Sequence, residues 1–298
     1  MHELERLFAA ADGEARWEDG LRDLFEAGDL DKAHDLLAQA LAGLDTDLAR
    51  ECLAITPEHV SLSGWSELVE AIALHEGEPI TGVTLAIAND ADSTFEKGQM
   101  HRPYMMLGLY SDEGYAFSAA DVPGLIAETR REDGPAWAGH DEDIEVYLDC
   151  EGLDLLNTRL LFHKQRHFFR DDAPGSAPRR YVEYVVACWW RALLFQQAVA
   201  SECAIHGLPG GIPVIAGMVD LRPDVVCVHG IGARNPAADR ESEEATGLAE
   251  IIPANFIARR TVEDVKEFTG ADLRRKVAET GQEDEPVKRG FVARLFGR

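Results

Sequence analysis

The feature that most limits how this chain can fold is residues 181–206, YVEYVVACWWRALLFQQAVASECAIH, its longest apolar stretch, closed by Gly207 and Pro209. As a helix it is long enough to cross a bilayer, which takes ~20 apolar residues. Glu183, Arg191, Gln196 and Gln197 interrupt it, however, and Glu202 follows. Polar groups so distributed suit a buried core helix of a soluble protein better than a membrane span. Trp189 and Trp190 fall mid-helix, so at least one indole is expected in the core.

The surrounding sequence changes period several times. Residues 80–88 alternate, with Val83, Leu85 and Ile87 on one face, and read as a strand. Residues 105–110 and 115–118 flank Ser111-Asp112-Glu113-Gly114, a hairpin turn. Asp121 is placed to cap a short helix with Pro123 in its first turn. Residues 144–148 read as a strand, 153–169 lean helical, and DDAPGSAPR at 171–179 is a loop. Two apolar strands, 212–219 and 225–229, are joined by Leu221-Arg222-Pro223-Asp224. Strands and helices without regular alternation predict an α+β fold, with a mixed, mainly antiparallel sheet beside the long helix.

Residues 1–77 read as helical, with a further helix near 48–54 and another from about Trp65 to His75, stopping before Gly77 and Pro79. Apolar residues recur at helical spacing, Gly28 ends one helix and Asp29 can cap the next. Trp17, Leu21, Leu24, Gly28, Ala33, Leu37 and Ala40 resemble one tetratricopeptide repeat, the 34-residue helical hairpin used for peptide binding. Asp45 stands near the position of the proline expected after the second helix, and no second copy follows at the right period. An acidic hairpin packed on the rest of the chain therefore accounts for the pattern better than an array, which needs about three units. The predicted organisation is a helical module at 1–77 and an α+β body at 78–258. Short helices and a linker follow at 259–286, the first opened by Thr261 and Asp264, and a tail at 287–298.

Charge restricts the partners. The 298 residues hold 54 acids and 29 bases, a net of -25. Residues 1–77 carry 18 acids against 5 bases and residues 78–258 carry 28 against 14, so the main body would repel nucleic-acid phosphates. Arginine (23) far outnumbers lysine (6), the bias of a GC-rich bacterial genome. Five scattered cysteines with no C-x-x-C pair read as reduced thiols of a cytoplasmic protein. The first residues show no basic start followed by an apolar run, so no secretory signal is expected.

Candidate chemistry is sparse. VVCVHGIGAR at 225–234 resembles the strand-then-HG loop of α/β-hydrolases, but that chemistry needs a downstream G-x-S-x-G elbow, which the chain lacks. Asp90-Ala91-Asp92-Ser93-Thr94 resembles the D-x-D-x-T loop of haloacid-dehalogenase-like phosphotransferases. That resemblance implies Asp90 as nucleophile and Asp92 as general acid/base, with Mg²⁺ between them and the phosphate. A polar turn explains the same residues with fewer requirements. Cys203 and His206 at a helix end, with Cys227 and His229 on a strand, supply two thiols and two imidazoles that could converge on zinc. C-x-H is not a standard zinc knuckle, however, and cysteine is among the residues most often simply buried. His163 and His167 have i, i+4 spacing but sit among Lys164, Arg166 and Arg170, a solvated basic face.

The end of the chain departs from the rest. VKRGFVARLFGR resembles the membrane-targeting C-terminal helix of bacterial division-site ATPases. As a helix, Phe291, Val292, Leu295 and Phe296 would share one face, flanked by Lys288, Arg289, Arg294 and Arg298. An apolar stripe with basic flanks suits weak peripheral contact with an anionic bilayer, or with a partner protein. Together these features favour a non-enzymatic protein-interaction or regulatory protein of the cytosol, without cofactor, whose acidic body attracts basic protein partners. The competing expectation is a metal-dependent enzyme using Asp90 and Asp92 or the cysteine–histidine set.

Overall fold

The computed structural model describes residues 3–88, 101–111, 122–129, 138–139, 146–167, 178–219 and 221–231. All belong to one compact unit, Met1–Ile251; a second unit, Ile252–Arg298, lies outside the described residues. The long apolar stretch forms helix α8, Pro178–Ile205, of 28 residues. At 1.5 Å per residue it spans ~42 Å. Pro178 stands at its first position, where a missing N–H costs nothing, and Gly207 at φ 62 turns the chain out of it. From Tyr181 to Phe195 every residue is buried. Among the described residues no helix is long and apolar enough to cross a membrane.

A helix buried on all sides needs other elements to cover it, and the N-terminal helices supply one side. These are α1 (Glu3–Phe8), α2 (Gly13–Glu26), α3 (Leu30–Leu44), α4 (Asp47–Leu53) and α5 (Trp65–Leu74). Asp29 caps α3 through a bond from the Lys32 amide, and Thr46 caps α4 through one from the Ala49 amide. Helices α1, α3 and α4 all contact α8. Phe25, Leu37, Leu41 and Leu44 are fully buried, and Phe25 meets Trp189 edge-to-face at 5.3 Å between ring centroids. The α2–α3 pair thus packs on α8 and the body behind it. A tetratricopeptide architecture is not established by it.

The other side of α8 is a five-stranded sheet. Its strands are β2 (Gly82–Ala88), β3 (Tyr104–Ser111), β4 (Ala138–Gly139), β6 (Val214–Val219) and β7 (Cys227–His229), in the order β4-β3-β2-β6-β7. Only β2 and β6 run parallel, with Leu85 opposite Ala216; the remaining pairs are antiparallel. Val83, Leu85 and Ile87 lie on the face toward the core, as their alternation predicts. On the opposite face α6 (Val122–Thr129) sets Leu125 against Ile215 and Val226 in a smaller cluster. Helix α7 (Asp154–His167) packs along α8. The architecture is therefore mixed helix and sheet, as expected for an α+β chain.

Several local expectations are corrected. Of the strand predicted at 144–148, the described residues 146–148 are not strand; the strand that follows them is β5 (Asp149–Glu151), which pairs antiparallel with β1 (Ser61–Ser63), inside the segment read as helical. Three-residue strands are too short to show a period, and glycines place them. Gly64 (φ 85) and Gly152 (φ 91) let the two segments meet so closely that a Cβ would stand 2.1 Å from the Tyr147 carbonyl oxygen and 1.9 Å from that of His59. This pairing crosses the boundary drawn at residue 77. One core runs from Leu4 to Cys227, so the described parts of the helical module and the body share an interior. The loop expected at 171–179 gives way to α8 at Pro178; the second hairpin strand (115–118) and Asp121 lie outside the described residues.

Glycine substitution separates these roles. Gly152→Ala should cost at least about 3 kcal/mol, since strain at positive φ adds to a clash with backbone. Gly28→Ala, at φ 73 with open space around the new methyl, should cost about 1 kcal/mol. Urea denaturation of both variants checks the order, and equal losses would contradict the close approach at β1–β5.

Candidate functional site

The polar residues of α8 and their partners form the most connected chemical feature of the described chain. At one end, Arg222 on the β6–β7 connection reaches three side chains. Its Nη1 donates to the Tyr181 hydroxyl at 2.8 Å, and its Nη2 to Glu14 Oε1 at 2.7 Å and to Glu18 at 3.4 Å. Tyr181 in turn donates to Glu14 Oε1 at 2.8 Å, and Trp189 Nε1 donates to Glu18 Oε1 at 3.1 Å. The guanidinium also lies 5.6 Å from the centroid of the Tyr181 ring. Burial disfavours the Arg222 charge, but Tyr181, Glu18 and Glu14 outweigh it and hold the group above its ordinary pKa. Burial raises the Tyr181 phenol, keeping it a neutral donor. An open cavity of about 380 Å³ borders this cluster, lined by Phe8, Ala10, Asp12, Gly13, Glu14, Ala15 and Glu18.

A second arginine lies deeper. Arg191 is 2% exposed and donates Nη1 to Asn157 Oδ1 at 2.6 Å and Nη2 to the Arg222 carbonyl at 3.0 Å. Asn157, on α7, passes the connection on by donating to the His101 carbonyl at 2.9 Å. Both acceptors of Arg191 are neutral, Nε meets no acceptor among the described residues, and burial pulls its pKa below the ordinary value. The chain of bonds from Glu14 through Tyr181, Arg222, Arg191 and Asn157 to His101 therefore joins α2, α8, the β6–β7 connection, α7 and the segment just before β3. Chemically it is a clamp rather than a nucleophile with its base.

The sequence-derived zinc set is not gathered. Cys227 and His229 share the core face of β7, and Cys203 Sγ would lie 3.9 Å from a Cβ on Gly230. His206, however, is exposed at the end of α8 and faces Glu202 at 3.6 Å. The fully buried Gln196 donates its amide nitrogen to the Ala216 carbonyl at 3.0 Å, which turns its Oε1 to His229 Nε2 at 2.8 Å. His229 Nε2 therefore carries the proton and is spent as a donor. Burial raises the Cys203 thiol to about 12, so it is not a thiolate at neutral pH. Among the described residues no three His, Cys, Asp or Glu side chains are placed to hold a metal ion. Burial likewise raises the thiols of Cys52, Cys150 and Cys188. Asp90 and Asp92 lie outside the described residues, as do Lys288, Arg289, Phe291, Val292, Leu295 and Phe296 of the tail. No protein family matches the chain, and no curated protein or solved structure matches it either.

Sequence reasoning named Arg191 and Glu183 only as interruptions of an apolar run, and passed over Arg222, Glu14, Glu18 and Asn157. The available signal was the charge inside that run: a buried arginine demands acceptors, and those must come from other elements. Which ones cannot be read from spacing.

Two measurements test this seam. Arg222→Met should cost about 2 kcal/mol in urea denaturation, because it strips Glu14 and Glu18 of a charged donor in a partly buried setting. A double-mutant cycle with Glu14→Gln should show coupling of about 1 kcal/mol, and additivity within error would rule the contact out as a stabiliser. For His229, burial lowers the folded pKa from 6.5 to about 4. Its contribution is fully present above pH 6.5 and is lost as the unfolded chain takes up a proton that the folded chain refuses. The loss grows by about 1.4 kcal/mol per pH unit and reaches on the order of 3 kcal/mol near pH 4. His229→Gln should flatten this part of the curve between about pH 4 and 6.5, seen as a smaller stability difference than wild type shows.

Proposed function

We propose that this protein works by binding protein partners through the acidic outer surface of its N-terminal helices, basic partners being favoured. The observation that carries the reading is where the negative charge sits. Glu3, Asp12, Asp19, Asp23, Asp31, Asp35, Asp45 and Asp47 are exposed on or beside α1–α4, and Glu67 and Glu70 on α5. Their ion pairs are few and local. Arg22 holds Asp19 at 2.6 Å, and Arg50 holds Asp45 at 2.7 Å and Asp47 at 2.6 Å. Asp23, Asp31 and Glu3 remain on the surface of a segment whose net charge is -13. A field of this kind speeds encounter with cationic surfaces and repels phosphate backbones. The carboxylates of the neighbouring polar seam, Glu14 and Glu18, are engaged by Arg222, Tyr181 and Trp189, whereas these surface acids are exposed.

Affinity capture from the native cell at low salt tests the reading, with the full chain as bait and a second bait carrying Asp23→Asn, Asp31→Asn and Asp35→Asn. Wild type should retain basic proteins that elute as salt rises toward about 0.5 M, and the neutralised bait should retain about tenfold less. Circular dichroism of both baits controls for folding. Recovery of no partner at low salt, or equal capture by both baits, would overturn the proposal.

A further inference from the structure

We draw no further inference here: the strongest candidate, the open cavity at the start of α2 between Phe8, Asp12, Glu14 and Glu18, is an acidic cluster whose Glu14 and Glu18 already serve Arg222, Tyr181 and Trp189, and nothing in the structure shows what would occupy it.

Discussion

A helix buried on every side needs internal partners for its polar atoms, and α8 draws them from several elements. Tyr181 and Trp189 bond to carboxylates of α2, and Trp190 Nε1 to the Ile55 carbonyl just beyond α4. Arg191 reaches α7 and the β6–β7 connection, and Gln196 holds β6 and the end of β7. Apolar burial is not directional and would tolerate α8 rotated or shifted along its axis. The polar bonds do not. A shift of one residue turns a helix by ~100° and would point each of these groups at the wrong neighbour. The register of the whole molecule thus follows from the placement of a few polar atoms along one apolar segment.

The two arginines of the seam illustrate opposite solutions to burying charge. Arg222 keeps part of its side chain in water and has two carboxylates and a phenol around it, so its charge is strengthened. Arg191 is wholly enclosed with carbonyl oxygens alone, so its charge is weakened. Charge held by dipoles is more costly than charge held by a counter-ion, and such a group adds less to stability than its hydrogen bonds suggest. Its effect is to exclude alternatives. Any packing that separates α8 from Asn157 or from the Arg222 carbonyl leaves a buried guanidinium unsolvated, which costs several kcal/mol.

This arrangement explains what was legible in the sequence and what was not. The membership of the long apolar helix, the alternating strand at β2, the glycine stop at Gly28 and the α+β class all follow from period and turn chemistry, which are local. The strands β6 and β7 could be read from their apolar runs, although the connection between them is seven residues long, 220–226. The β1–β5 pairing could not, because both strands are shorter than any detectable period and their partners lie far apart in the chain. For the same reason the cysteine–histidine set was misleading. Spacing of two on a strand places Cys227 and His229 on one face, but only tertiary structure shows that Gln196 takes His229 Nε2 and that His206 turns to solvent. Arg222 carried no pattern at all, standing in a connection between strands.

The acidity of the chain, read from composition, is one number; in the structure it divides into two populations. Glu14 and Glu18 are committed to Arg222, Tyr181 and Trp189, and Asp149 and Asp154 both face Arg102. Glu51 faces Arg159 at 2.9 Å, and burial nevertheless raises its pKa, so its charge is held at a cost. These carboxylates position elements, and neutralising them would disturb the fold. Asp23, Asp31 and Asp35 stand on exposed helical faces, where charge contributes little to stability. Removing charge from the second group alone changes the external field while leaving the clamp intact. Internal stability and the external field, which a net charge of -25 merges, therefore rest on different residues.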